Sequence, residues 1–332
     1  MFTDKLLQWY EENQRVLPWR GERNPYKIWV SEIILQQTRV QQGWDYYLRF
    51  IDAFPDVKTL AKASEEQVLR IWQGLGYYAR ARNMHFAAQQ VMNDFGGHFP
   101  NTYEEIRKLK GIGEYTAAAI GSIAFSLPYP AVDGNVLRII SRIFGVCDDI
   151  ADTKTKNKIT EICQQLIDRQ KPGIFNQALM DFGATWCTPQ NPQCKECPFQ
   201  SECYAFRQHM TDTLPIKNNS IKKRERYFHF IIHIYNNCTI IEKRTGKDIW
   251  KNLYQFPLIE TEKNDVLKEH SLIFETKEVL THQIIFGKFY LSEGKELDTE
   301  GKNQLITDVG KLKEYPMPKI MTTFLKEKDF II

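Results

Sequence analysis

The sequence predicts a two-domain chain, an all-α domain followed by a small mixed α/β domain, and three observations carry that expectation. Up to about Arg207, apolar residues recur at three- and four-residue spacing, as in Ala81–Phe95 and Thr155–Asp168, while strand-like alternation is scarce. From Tyr227 onward, the β-branched and aromatic runs Tyr227–Tyr235 and Cys238–Lys243 flank Asn236-Asn237, a hairpin signal. Between the two regions lies a polar, basic stretch, His209–Arg226, with Leu214-Pro215, Asn218-Asn219-Ser220 and Lys222-Lys223-Arg224. The expected boundaries are therefore 1–208 for the helical domain, 209–226 for a linker and 227–332 for the α/β domain. A chain of 332 residues is long for one domain and suits two.

Within the helical region, Gly74-Leu75-Gly76, Gly96-Gly97, Gly111-Ile112-Gly113 and Pro128-Tyr129-Pro130 mark breaks between helices. In Trp29–Thr38, Ser31 reads as an N-cap and Glu32 as the opening of an otherwise apolar helix. A glutamate there complements the helix dipole. If apolar neighbours desolvate it, its proton affinity rises and it becomes a general acid. The run Leu109–Ala117 places a Gly-x-Gly turn between the helical segment Tyr103–Leu109 and an Ala-rich helix. It reads either as a plain helix-helix turn or as a helix-hairpin-helix whose free N–H groups suit a DNA phosphate. Asp133, in Ala131–Val136, reads either as an N-cap or as an ionised partner of Glu32. One protonated acid and one carboxylate together suit cleavage of a glycosidic bond. In the second domain, Glu278–Leu291 is a further strand candidate, and no Glu-rich catalytic box is found from Tyr227 onward.

Composition is ordinary for a globular protein, with 42% hydrophobic and 26% charged residues. The longest apolar runs, such as Phe230–Ile234, are too short to span a membrane, and the N-terminus carries no signal-peptide pattern. A cytoplasmic location and no membrane partner are expected. A net charge of +3 permits a local basic face without demanding one. Of seven cysteines, Cys147, Cys163 and Cys238 are scattered and read as buried thiols. The other four follow the pattern Cys187-x6-Cys194-x2-Cys197-x5-Cys203, a loop able to wrap four thiolates around one metal centre. Spacing alone fits an iron-sulfur cluster and a tetrahedral zinc site equally.

Together these residues resemble the MutY-type adenine DNA glycosylases of the helix-hairpin-helix glycosylase superfamily. The resemblance runs through Leu17-Pro18-Trp19-Arg20, Ser31–Val40, Gly74–Asn83, the Gly111–Gly113 hairpin, Val132–Asn135 and the cysteine loop, and spans nearly the whole chain. It implies a four-iron four-sulfur cluster on Cys187, Cys194, Cys197 and Cys203, with Lys195 presented to DNA by their loop. It implies a catalytic pair, Glu32 protonating adenine at N7 and Asp133 stabilising positive charge at the sugar, supported by Tyr115. Tyr115 occupies the place where endonuclease III-like relatives carry a Schiff-base lysine, so a monofunctional glycosylase is expected. The implied substrate is adenine opposite 8-oxoguanine or guanine in double-stranded DNA, flipped from the helix. Gln37 and Tyr77 would enter the stack, Arg15, Leu17, Trp19 and Gln177 would surround the adenine, and Gly111, Gly113, Arg80 and Arg82 would grip phosphates. Gln177 stands where relatives often carry Glu. The implied C-terminal domain is Nudix-like; a Phe-Ser-His loop that contacts the lesion in the family is matched by Leu280-Thr281-His282, so Thr281 and His282 are the expected contacts and the aromatic is lost. A monomer is expected. Two other readings stand beside this one: a pyrimidine-lesion glycosylase with lyase activity, and a non-catalytic iron-sulfur DNA-binding module.

Overall fold

Helical periodicity translates into twelve helices before the first strand, among the described residues. They are α1 (Phe2–Asn13), α2 (Pro25–Leu35), α3 (Val40–Ala53), α4 (Val57–Lys62), α5 (Glu65–Trp72), α6 (Ala79–Asp94), α7 (Tyr103–Lys108), α8 (Glu114–Phe125), α9 (Gly134–Phe144), α10 (Thr153–Leu166), α11 (Pro172–Thr185) and α12 (Tyr204–Arg207). There follow β1 (Arg224–Tyr235), β2 (Cys238–Lys243), β3 (Tyr254–Gln255), β4 (Leu258–Thr261), β5 (Ser271–Val279), β6 (Gln283–Ser292), β7 (Gln304–Asp308) and α13 (Lys319–Glu327). The structure, a computed structural model, describes residues 1–218, 222–292, 296–299, 301 and 303–328. Residues 219–221 of the expected linker and 293–295, 300, 302 and 329–332 of the expected second domain lie outside the described residues. Among those described, no helix is long and apolar enough to cross a membrane.

The chain packs as two compact units: Met1–Lys62 with Phe86–Asn219, and Ala63–His85 with Ser220–Ile332. The first is helical. Its core gathers Leu6 and Trp9 of α1, Ile139 and Ile140 of α9, Phe175 and Phe182 of α11, and Phe199 of the cysteine loop. Trp9 meets the Phe182 ring edge-on at 4.9 Å. The stretch read as a linker is partly built into this unit. Leu214 is buried in the core, its carbonyl accepts from Arg142 Nε (2.9 Å), and the Ile216 carbonyl accepts from the Ile150 amide (3.0 Å).

The second unit is a seven-stranded mixed sheet with order β3-β2-β1-β6-β5, β4 also pairing with β1 and β7 with β2. β1 is its centre, parallel to β6 from Arg224 to His233 and antiparallel to β2 and β4. Phe228, Phe230 and Ile232 on one face of β1 and His229 and Ile231 on the other are all buried, as a central strand requires. α13 covers one face, with Phe324 stacked on Phe289 at 4.3 Å. The Asn236-Asn237 hairpin forms as its sequence signals, both residues holding positive φ (49° and 60°). The expected strand Glu278–Leu291 is instead two antiparallel strands, β5 and β6, turning at 280–282. The long apolar-polar run hid the turn because Leu280-Thr281-His282 contains neither Gly nor Pro. The unit also crosses the boundary expected at residue 208. Tyr254 OH donates to Glu66 of α5 (3.1 Å), Tyr78 OH to the Met317 carbonyl (3.1 Å) and Arg82 to the Lys251 carbonyl (3.0 Å).

Helix α2 also differs from its expected form. It starts at Pro25, capped by Asn24, whose side chain accepts from the Tyr26 and Lys27 amides. Ser31 and Glu32 therefore lie inside it, and Ser31 Oγ donates to the Ile28 carbonyl (2.7 Å) instead of capping. A proline at the first helical position with Asn before it is the stronger start signal.

Close helix packing in the first unit gives a stability test. At Gly173 of α11, a Cβ would lie 2.8 Å from the Ile123 Cα and the Ser122 carbonyl oxygen of α8. Backbone cannot yield as a side chain does, so Gly173→Ala is expected to cost about 1–3 kcal/mol in a urea titration.

Candidate active site

Every residue of α2 from Ile28 to Ile34 is buried, so Glu32 enters the interior on a helix with no wet face. Its carboxylate accepts a hydrogen bond from Tyr115 OH (2.8 Å), and that hydroxyl also lies 3.5 Å from Met180 Sδ of α11. Burial pushes the Glu32 carboxyl above the usual range, and the Asp133 charge adds to the rise; the Tyr115 hydrogen bond and the Arg20 charge pull the other way. Burial, followed by the charges of Glu32 and Asp133, likewise raises Tyr115, so its phenol stays protonated and donates.

Tyr115 is delivered by the hairpin. Thr102 caps α7, accepting from the Glu105 amide, and Gly111 turns the chain at φ 82°. Gly113 then forms the N-cap of α8 with no side-chain cap bond, leaving the first helical N–H groups without that partner. Neither a positive φ nor a crowding neighbour explains glycine at 113.

Asp133 caps α9, as one of its two sequence readings expected: it accepts from the Val136 amide (2.8 Å) and from Asn135 Nδ2 (2.8 Å). Burial raises its carboxyl, and those donors with the Arg138 charge offset part of the rise. Asn135 was not among the sequence candidates, although its place two residues after Asp133 was visible. Its Oδ1 accepts from Arg138 NH2 (2.9 Å), which also donates to the Gly183 carbonyl (2.7 Å), while Arg138 Nε donates to the Cys187 carbonyl (2.9 Å). A continuous line of hydrogen bonds thus runs from Asp133 to the backbone of the first clustered cysteine.

The loop between α1 and α2 folds onto α11. Asp181, fully buried, accepts from the Arg15 amide (3.1 Å), Arg15 Nε (3.0 Å), Arg15 NH2 (2.6 Å) and Arg20 NH2. Arg15 is therefore committed to Asp181. Arg20 keeps one buried donor, Nε–H, with no hydrogen-bond partner among the described residues. Trp19 is buried edge-on against Tyr47 (5.4 Å), Leu17 is half-buried, and Gln177 Oε1 accepts from Tyr10 OH (3.4 Å). A cavity of about 270 Å³ lies against Arg20, Gln177, Tyr10 and Lys171. Neither Arg20 nor Asp181 was a sequence candidate; Asp181 gave a signal only as the residue four after Gln177 on one helix.

Gln37, just beyond α2, is exposed and holds φ 56°, a left-handed conformation costly for a non-glycine residue. In the second unit Tyr77 is likewise exposed at φ 48°. Its hydroxyl hydrogen-bonds Thr281, 204 residues away, at the β5–β6 turn. His282 beside it is exposed. These residues, with Arg82, Asp248 and Trp250, line a cavity of about 610 Å³. Arg80 lies over the Trp72 and Tyr77 rings and Arg82 is bound to Lys251, so both guanidiniums are half-buried and engaged within this unit.

Of the scattered cysteines, Cys163 is buried as expected, Cys238 is half-buried and Cys147 is exposed at the surface after α9. Among the described residues no group of three or more His, Cys, Asp or Glu stands close enough to hold a metal ion. The donor chemistry of the cysteine loop nevertheless fits a thiolate-bound cluster. Burial pushes the Cys197 thiol up to about 12, and its three fellow cysteines oppose its ionisation further. Four thiolates together therefore need a cationic centre. Two buried arginines face the same loop. Arg142 donates to the Thr188, Pro189 and Leu214 carbonyls and to Cys187 Sγ (3.5 Å), and Arg138 Nε donates to the Cys187 carbonyl. Lys195 is exposed on the loop.

Residues 30–165 match the family model described as HhH-GPD superfamily base excision DNA repair protein. The chain is 35% identical to an adenine DNA glycosylase of Buchnera aphidicola subsp. Schizaphis graminum, over 83% of this chain and 81% of that protein. It is 45% identical to a mouse adenine DNA glycosylase, over 62% of this chain and 42% of that protein. Among solved structures it is similar to a thermostable thymine-DNA glycosylase, with a TM-score of 0.57 at 29% identity over 62% of this chain and 95% of the other. A non-covalent endonuclease III-DNA complex shares the fold, with a TM-score of 0.55 at 23% identity over 63% and 95%.

The buried glutamate gives a test independent of activity. A carboxyl whose proton affinity is raised by folding favours the folded state below its ordinary unfolded range, and that contribution is lost as pH climbs through the folded value. Glu32→Gln is therefore expected to raise Tm at pH 8, by on the order of a degree or more, and to lose the advantage near pH 4. Calorimetry across pH checks this; equal melting at pH 8 would remove the strain assigned to Glu32.

Proposed function

This chain belongs to the adenine DNA glycosylase family, and we propose that it hydrolyses the N-glycosidic bond of adenine mispaired with 8-oxoguanine or guanine in double-stranded DNA. The observation that carries the reading is the pairing of a buried Glu32, whose carboxyl burial pushes above the usual range, with Asp133 held as a helix cap, Tyr115 hydrogen-bonded to the first. Adenine is a poor leaving group until a ring nitrogen is protonated. Glu32 supplies that proton at N7, Tyr115 orients the carboxyl, and the Asp133 carboxylate, stabilised by Val136 and Asn135, faces the positive charge that grows on the sugar. Water completes the hydrolysis. Tyr115 has no amine, so no imine forms and the strand is left uncut.

The base must first leave the duplex. Exposed Gln37 and Tyr77, each in a left-handed backbone conformation, suit insertion into the stack. In this reading Arg20 and Gln177, which line the cavity of about 270 Å³, meet the adenine together with Leu17 and Trp19, and Arg15 supports the loop through Asp181. Gly111 and Gly113 let the N-terminal amides of α8 meet a backbone phosphate, and the openness around Gly113 supports that approach. For Arg80 and Arg82 the half-buried placement supports a narrower part, shaping the Tyr77 turn, with phosphate contact secondary. The C-terminal sheet domain acts as a Nudix-like lesion reader, Thr281 and His282 beside Tyr77 meeting 8-oxoguanine. The protein acts as a monomer.

Cys187, Cys194, Cys197 and Cys203 would hold a four-iron four-sulfur cluster. Hydrolysis moves no electrons, so the cluster's contribution is to fold the loop that bears Lys195.

Two measurements test the reading. Wild-type protein should excise adenine opposite 8-oxoguanine under single-turnover conditions; Glu32→Gln should lose excision by at least about a thousandfold while binding the mismatch as before. Excision retained by the variant sinks the assignment, as does an adduct trapped in good yield by borohydride. Anaerobically purified protein should absorb near roughly 400 nm, and a colourless protein with stoichiometric zinc overturns the cluster.

A further inference from the structure

We propose that Arg226 is a positioning residue for lesion reading: through Gln283 and Asp248 it holds the 280–282 turn against the cavity of about 610 Å³ in the second unit. The inference rests on the reading above, in which Thr281 and His282 meet 8-oxoguanine. Arg226 lies on β1 with only 7% of its surface exposed, its guanidinium 4.7 Å from the centre of the Phe228 ring. Its Nε donates to Glu260 Oε1 (2.7 Å) and its NH2 to Glu260 Oε2 (2.7 Å) and Asp248 Oδ2 (2.8 Å). NH1 donates to Asp248 Oδ1 (2.9 Å) and Gln283 Oε1 (3.1 Å). Those bonds engage every N–H of the guanidinium. Glu260 stands on β4, so the bonds to it fasten neighbouring strands of the sheet. The remaining bonds run to the cavity wall, because Asp248 and Gln283 both line it together with Tyr77, Thr281 and His282.

Arg244 NH2 also donates to Asp248 Oδ2 (2.9 Å), so the cluster sets two cations against two carboxylates and needs no phosphate to balance it. The turn supplies little stiffness of its own. It contains neither Gly nor Pro, and its main-chain bonds run from the Leu280 amide to the Gln283 carbonyl (2.8 Å) and from the Arg224 amide to the His282 carbonyl (2.9 Å). The Thr281 hydroxyl meets that of Tyr77, and His282 is exposed. Gln283 is the first residue of β6, so a bond from the buried guanidinium to its side chain fixes the point at which the turn leaves the sheet. 8-Oxoguanine differs from guanine by an N–H at N7 and an oxygen at C8. Polar groups on a turn tell the two apart only when the turn is held in place, and Arg226 holds it from the interior.

The test uses the full chain and a duplex in which 2′-fluoro-deoxyadenosine, which resists excision, faces either 8-oxoguanine or guanine. Gln283→Met keeps the side-chain length and removes the acceptor, Gln283→Glu keeps the acceptor, and Arg226→Lys keeps the charge without the planar fork. The ratio of the two Kd values, read by fluorescence anisotropy, should fall about tenfold in Gln283→Met and Arg226→Lys, the size of one hydrogen bond to a charged group. Gln283→Glu should keep most of the wild-type ratio. Gln283→Met should also leave the salt dependence of Kd unchanged, since no phosphate contact is lost. In the free protein, the Leu280 and Arg224 amides of Gln283→Met should exchange hydrogen about tenfold faster, while those of Phe228 and Phe230 stay as in the wild type. A merely structural role weakens binding to both duplexes equally, or leaves Gln283→Met like the wild type in both readouts while Arg226→Lys melts earlier; either result overturns the proposal. If the wild type binds the two duplexes equally, the lesion-reading function fails, while faster exchange confined to the turn still upholds Arg226 as its anchor. If Arg226→Lys does not fold, the contrast between Gln283→Met and Gln283→Glu decides it.

Discussion

The first unit depends on what a single arginine does behind the two carboxylates. Arg138 is buried, and its guanidinium joins Asn135 at the start of α9, the Gly183 carbonyl near the end of α11 and the Cys187 carbonyl at the mouth of the cysteine loop. A guanidinium can do this because its donors are fixed in one plane and reach three acceptors at once. Arg142, one turn later on the same face, repeats the device with Thr188, Pro189 and Leu214. The cap that fixes Asp133 and the loop that collects four cysteines are therefore one construction. Gly183 is part of it: a Cβ there would meet Asn135 Cβ at 2.6 Å, so the helices approach closely enough only with glycine.

Burying two cations and two acids in one small helical unit is expensive unless each has its partners. The distribution of partners is uneven. Asp133 has the helix start and Asn135, which favour its ionised form. Glu32 lies on an apolar helix whose burial favours its neutral form, and the Tyr115 hydrogen bond offsets only part of that. Burial raises both carboxyls, but only Asp133 has backbone and amide donors that offset part of the rise. The fold carries the desolvation cost of Glu32 because α2 is held on all sides by core residues.

The second unit is organised by a different constraint. β1 is buried on both faces, and its edge partners bring the 280–282 turn beside Tyr77. The short helical segment around residues 65–82 packs with that sheet, so the exposed tyrosine and the turn are set by the same core. This pairing of an exposed ring with polar groups arises inside one packing unit.

Much of this was present in the sequence. The Gly-x-Gly hairpin, the Asp133 cap, the Asn-Asn turn and the cysteine spacing depend on local conformation or short-range spacing, so they could be read from the chain, and the hairpin, Val132–Asn135 and the cysteine loop were among the motifs that led to the family. What the sequence could not reveal involved partners distant along it. Ser31 as a cap, and Glu32 as the opening of a helix, gave way to an interior position because the stronger Asn24-Pro25 signal lies seven residues earlier. Tyr77 and Thr281, Arg15 and Asp181, and Arg138 and Cys187 meet across 204, 166 and 49 residues respectively. Whether Glu32 is a surface dipole partner or a buried acid was likewise undecided by its neighbours in sequence. Only the closing of the helices around α2 removes water from it, because desolvation is a property of the packed volume and not of the local chain.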